Sequence, residues 1–197
     1  MSDTPGLEAY TKRYLDEAKA ALAEPYLQEA MHRIVPLLVR ARREGRTVFF
    51  FGNGGSASTA AHFVVDISKV AARGPGRRIK CVGLADNIPT MTAWGNDSDY
   101  SVIFSEQLKI LAEKGDVVVA ISGSGNSPNV LKAVEAAKEI GASTIGLTGI
   151  GGGKLKTMVD VPVVVPSNSM QHTEDVHVSL LHLLTAYLRD EGPLSER

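Results

Sequence analysis

The chain of 197 residues carries a single cysteine, Cys81, which excludes an internal disulfide and suits a reducing compartment. Cys81 lies in the apolar run 79–84 and reads as a small buried hydrophobe rather than a nucleophile. Excess charge is equally scarce: the formal net charge is −1 and no dense Lys/Arg block occurs, which argues against nucleic acid as a partner. The short basic stretch 73–80, with Arg73, Arg77, Arg78 and Lys80, reads as a solvated loop. No apolar run approaches membrane-spanning length, and the polar, acidic first residues lack a signal-type apolar core. These absences lead to the expectation of a soluble cytoplasmic protein.

Apolar residues make up 44% of the chain, enough for one well-buried domain and against disorder. Residues 7–44 read as helix, with Leu15, Ala18, Leu22 and then Leu27, Met31, Ile34, Leu38 at spacings of three or four, interrupted near Pro25. Strand-like runs follow at 47–51, 79–84, 116–121, 144–148 and 161–165. They alternate with helical patterns at 56–72, 99–113, 128–140 and 173–189. Gly141 stops one of these helices, and Gly151, Gly152 and Gly153 form a turn. Continuously apolar strands alternating with helices predict a parallel sheet covered on both faces, with ligands beyond the carboxyl ends of the strands. Leu180, Leu181, Leu183, Leu184 and Tyr187 make the last helix apolar around most of its circumference, which implies burial.

Two turns of similar composition directly follow strand-like runs. Gly52-Asn53-Gly54-Gly55-Ser56-Ala57-Ser58-Thr59 follows the first, and Ser122-Gly123-Ser124-Gly125-Asn126-Ser127-Pro128 follows the third. A strand, then glycines and hydroxyls, then a helix places backbone N–H groups where an anion is favoured. Glycine lets the backbone come close to a ligand, and hydroxyls add donors without net charge. Neither turn contains the lysine of a Walker loop, and the dinucleotide fingerprint fails because the third glycine is out of register. The paired turns therefore point to a small phosphorylated ligand.

The titratable candidates lie on two helical segments. His62 and Asp66 are four residues apart and share a face. Glu174 and His182 share a broad face of the last segment, which also carries His172 and His177. Two imidazoles and two carboxylates suit proton transfer or a divalent metal.

Gly52-Asn53-Gly54-Gly55-Ser56, His62, the Asn96-Asp97 pair, Ile121 through Ser127, and Glu174-Asp175-Val176-His177 through His182 together resemble the sugar isomerase (SIS) domain. More narrowly they resemble the phosphoheptose isomerases, which interconvert D-sedoheptulose 7-phosphate and D-glycero-D-manno-heptose 7-phosphate. The resemblance spans nearly the whole chain. It implies a single SIS domain over 1–197, with N-terminal helices at 1–45 and an α/β core at 46–197. That core would be a three-layer αβα sandwich on a five-stranded parallel sheet, assembled as a homotetramer with active sites at subunit boundaries. The resemblance implies that Ser56, Ser122, Ser124 and Ser127 hold the phosphate and that Asn53 and Asp97 contact the sugar. Gly54, Gly55 and Gly123 belong to the same substrate-binding turns. Asp66 and His182 match the proton-shuttling acid and histidine, and His62, Asp66, Glu174 and His182 match positions where some members bind zinc.

This sequence departs from the family pattern at three positions. Asp66 stands where glutamate is usual, Glu174 where glutamine is usual, and Gly123 where threonine is common. Either Asp66 or Glu174 could therefore serve as the catalytic base. A related non-enzymatic branch, which binds the bacterial replication initiator protein, lacks the first-helix acid, so Asp66 favours an enzyme. The expected reaction is aldose–ketose isomerisation of a phosphosugar through an enediolate. Isomerisation of another phosphosugar, or a phosphosugar-binding scaffold, is the alternative.

Overall fold

The apolar runs become five strands of one parallel sheet: β1 Thr47–Gly52, β2 Lys80–Gly83, β3 Val117–Ile121, β4 Ser143–Thr148 and β5 Val161–Val164, in the order β2-β1-β3-β4-β5. The computed structural model describes residues 6–22, 24–73 and 78–190. Of the basic stretch, residues 74–77, Arg77 among them, lie outside the described residues, while Arg78 and Lys80 are exposed. Every residue of β3 is buried, because both faces of the sheet are covered and no polar side is left.

Alternation along each strand sends successive side chains to opposite layers. Val48 and Phe50, with Val119, Ile121 and Leu147, meet Ile34 and Leu38 of α2 (Glu24–Glu44), Phe63 of α3 (Gly55–Val65) and Leu180 and Leu184 of α8 (Met170–Asp190). Phe49 and Phe51, with Val118 and Ala120, face the other way. They meet Leu108 of α5 (Ser105–Leu111), Val130 and Val134 of α6 (Pro128–Ile140), and Leu155 of α7 (Leu155–Met158). The register Phe50↔Val119↔Ile145↔Val161 carries the first core across four strands. The three expected layers are present, with α1 (Leu7–Ala21) packed mainly on α8.

The structure corrects the predicted helices in three places. α1 ends at Ala21 and α2 begins at Glu24, so Pro25 sits in the first turn of α2, where a missing N–H costs little, rather than between the helices. The predicted helix 99–113 is α5 preceded by the 3₁₀ turn Tyr100–Val102, and an unpredicted helix, α4 (Ile88–Asp97), lies before it. The predicted helix 56–72 changes winding midway: α3 gives way to the π-helical turn Asp66–Val70 and then to the 3₁₀ turn Ala71–Arg73. Gly141 stops α6 as expected, in the left-handed region at φ 87°. In α8, Leu180, Leu181 and Leu184 are buried, whereas Leu183 and Tyr187 are exposed. No helix among the described residues is long and apolar enough to cross a membrane. Cys81 packs against the first core, and burial pushes its thiol up to about 12, which keeps it protonated and inert.

Candidate active site

The strand order reverses direction between β1 and β3, and in open parallel sheets that reversal opens a crevice at the carboxyl ends. Both Ser/Gly turns stand there. β1 leads through Gly52 into α3, and β3 leads through residues 122–127 into α6, so two helix N-termini flank the crevice. The strand ends are tightly apposed: a β-carbon on Gly52 would lie 2.7 Å from the Ile121 carbonyl oxygen and 2.7 Å from Ser56 Cβ. Gly54 opens α3 at φ 53°, ψ −122°, a conformation natural to glycine.

The second turn is held by its own side chains. Ser122 Oγ and Ser127 Oγ lie 3.1 Å apart. The Asn126 backbone N–H donates to Ser124 Oγ at 3.2 Å, and Asn126 Nδ2 donates to the Ser124 carbonyl at 3.0 Å. Ser122 is buried and Ser124 exposed, so the turn presents hydroxyls at two depths. Behind it, Gly149 N–H donates to the Gly123 carbonyl at 2.9 Å and Leu155 N–H to the Gly125 carbonyl at 3.0 Å. A β-carbon on Gly123 would fall 2.2 Å from Met170 Sδ, the end of a flexible side chain that would have to give way.

The titratable groups divide into two places. His62 Nε2 lies 3.6 Å and His182 Nε2 3.8 Å from Asp66 Oδ2, and the two imidazole rings meet edge to face with centroids 5.1 Å apart. Asp66 is half-buried at the first residue of the π-helical turn, and both histidines are exposed. A single π turn re-aims side chains relative to the preceding α-helix and recurs at functional sites. One donor atom each from His62, Asp66 and His182 can be chosen so that all lie within 4.8 Å of one another. Two imidazoles and a carboxylate with an open side fit a divalent ion such as zinc.

Glu174 is not among the three residues so grouped within one chain. Eight residues of helix separate Glu174 from His182, a rise of about 12 Å. Glu174 stands instead over the start of α3, where a β-carbon on Gly55 would fall 2.4 Å from its Oε1. His172 and His177 are buried away from the cluster. His177 Nε2 lies 3.3 Å from the Thr148 carbonyl, and burial lowers its pKa to about 4.

Of the expected sugar contacts, Asn53 is half-buried in the first turn. Asp97 is exposed at the end of α4, its Oδ1 accepting from Asn96 Nδ2 at 2.7 Å. Sequence reasoning missed Asn129 and Tyr100, which both bond the Asn53 amide. The available signal for Asn129 was its place directly after Ser127-Pro128, in the first turn of α6; Tyr100 gave none.

The chain is similar to known proteins over most of its length. The SIS domain family model matches residues 13–149. A phosphoheptose isomerase of Rhodospirillum rubrum is 44% identical over 152 residues, covering 75% of this chain and 78% of the relative. One of Trichlorobacter lovleyi is 38% identical over 162 residues, covering 82% of each. The solved phosphoheptose isomerase of Neisseria gonorrhoeae superposes with a TM-score of 0.85 at 32% identity, covering 92% of this chain and 98% of that one. The chain belongs to the SIS domain family and, within it, to the phosphoheptose isomerases.

Proposed function

We propose that the protein is an aldose–ketose isomerase that interconverts D-sedoheptulose 7-phosphate and D-glycero-D-manno-heptose 7-phosphate. The observation that carries this reading is the Asp66 carboxylate between two imidazoles, on the helix that leaves one of two phosphate-type turns. Ser56, Ser122, Ser124 and Ser127, with the amides opening α3 and α6, hold the phosphate. Asn53 and Asp97 hold the sugar, so remote binding positions the reacting carbons. A carboxylate takes the proton from the carbon beside the carbonyl, and the resulting acid, which exchanges with solvent, delivers a proton to the neighbouring carbon. His182 moves a proton between the two oxygens. His62, Asp66 and His182 would hold a divalent metal, zinc by the nature of the donors, and such an ion would polarise the carbonyl and favour the enediolate. Asp66 serves as base when it is free. When Asp66 is a ligand, Glu174 over Gly55 is the remaining carboxylate.

The working unit is a homotetramer in the cytoplasm. Support for association comes from Leu7, Tyr10 and Leu15 on α1 and Leu183 and Tyr187 on α8, all exposed large apolar groups. A monomeric mass by light scattering at micromolar concentration would contradict it.

Incubating the purified protein with D-sedoheptulose 7-phosphate in deuterated water tests the reaction. The expected result is the aldose phosphate carrying one solvent deuterium at the carbon next to the carbonyl, with activity lost on chelation and restored by zinc. Tight binding without turnover or exchange would establish a phosphosugar-binding scaffold instead.

A further inference from the structure

One side-chain network ties the two turns together, and its polarity follows from a single backbone group. The Val130 N–H lies 3.0 Å from the Asn129 side chain, and because a backbone N–H only donates, the atom it meets is Oδ1. That fixes the Asn129 amide, which is buried. Asn129 Nδ2 then donates to Asn53 Oδ1 at 2.8 Å, and Asn53 Nδ2 donates back to Asn129 Oδ1 at 2.9 Å. The Tyr100 hydroxyl lies 3.1 Å from Asn53 Oδ1 and must therefore donate to it. Both lone-pair positions of Asn53 Oδ1 are filled. One hydrogen of Asn53 Nδ2 is committed to Asn129, and the other has no partner among the described residues.

We propose that Tyr100 and Asn129 are positioning residues: they lock the Asn53 amide so that it offers the ligand one N–H donor and no acceptor. The ligand group that matches is an oxygen acceptor, and on the isomerase reading, on which this inference rests, it is the sugar oxygen that gains charge in the enediolate. A fixed neutral donor aimed where charge develops stabilises the transition state more than the bound substrate. Asn53 without its two partners could turn its carbonyl toward that oxygen.

Tyr100→Phe removes only the exposed hydroxyl. It is expected to lower kcat/KM by about 2- to 12-fold, the range of one hydrogen bond, through kcat rather than KM. The inhibition constant for inorganic phosphate should stay unchanged, because the serine turns are untouched. In an Asn53→Ala background Tyr100→Phe should do nothing further, since its target is gone. Asn129→Leu, which breaks both bonds to Asn53 and the one from Val130 N–H, should cost on the order of 10- to 100-fold. Wild-type kcat/KM in Tyr100→Phe, or an equal loss with and without Asn53, overturns the positioning role while leaving the isomerase reading intact. A wild-type protein that turns over no phosphosugar overturns both.

Discussion

The turn after β1 and the turn after β3 share glycine and serine but are built for different work. The second closes on itself through Ser122–Ser127 and Asn126–Ser124, with Gly149 and Leu155 bonded behind it. The first closes on itself through the backbone, with Ala57 N–H donating to the Asn53 and Gly54 carbonyls and Ser58 N–H to the Gly54 carbonyl, while Asn53 reaches outward to Asn129 and Tyr100 and Gly55 stands against Glu174. A self-closed turn keeps its donors arranged before the ligand arrives, which reduces the ordering cost of binding. A turn that reaches outward sets the distance between that cradle and the groups on α3 and α8. On the proposed reading both loops reach the phosphate, through Ser56 in the first and Ser122, Ser124 and Ser127 in the second, and the first alone also meets the sugar, through Asn53.

The largest expected effect tests that comparison directly. Asp66→Asn should lower kcat by roughly 10²- to 10⁴-fold, the usual loss for a proton-transfer group, and reduce bound metal in elemental analysis. Phosphate inhibition should be unaffected. Ser122→Ala should do the reverse. Loss of a donor to a charged group costs about 1.5–3 kcal/mol, so affinity for phosphosugar and for inorganic phosphate should fall about 10- to 150-fold. Phosphate binding lost equally in both variants would mean that Asp66 and the serine turns form one undivided site.

A second test acts from behind the second turn. His177 bonds the Thr148 carbonyl, next to Gly149, whose N–H holds the Gly123 carbonyl. Desolvation lowers the folded-state pKa of His177 to about 4, against about 6.5 unfolded. Between those values the unfolded chain binds more protons, so stability rises with pH and is fully present above about 6.5. It is lost as pH falls toward 4, by about 3 kcal/mol for this group. Denaturant unfolding of His177→Gln at pH 7 and pH 4.5 should show a pH dependence reduced by an amount of that order. An unchanged dependence would assign the acid sensitivity to another group.

The strands were legible because burial on both faces leaves an uninterrupted apolar run, as in Val117–Ile121. The two turns were legible because their glycines and hydroxyls have few other uses in that density. α4 was missed because it is short and buries no residue fully, Met91 and Trp94 packing on the second core only in part, although Asn87, whose side chain accepts from Thr90 N–H, followed by Pro89, was a helix-start signal in plain view. The partners of Asp66 were only half legible. Spacing puts His62 beside it, but whether Glu174 or His182 arrives depends on how far α8 runs along α3. The pairs Gly55 with Glu174 and Asp66 with His182 show the two helices advancing side by side, a tertiary fact that no periodicity contains.

The smallest expected effect separates two glycines that share a positive φ. Gly54, at φ 53°, has no atom within 4 Å of where a β-carbon would stand, whereas at Gly125, at φ 65°, that carbon would lie 2.0 Å from the Gly152 carbonyl oxygen. Alanine at 54 meets backbone strain alone, about 1–3 kcal/mol. Alanine at 125 meets similar strain and must also displace the backbone of the triple-glycine segment, which cannot swing away as a side-chain end could. Thermal unfolding should therefore show the smaller loss for Gly54→Ala, with phosphate inhibition retained. Gly125→Ala should lose more stability and phosphate affinity together, because the wall that moves is the one holding Ser124. Equal losses in stability, with phosphate affinity kept in both, would mean that the second turn tolerates displacement and that its closed hydrogen bonding does not set the anion site.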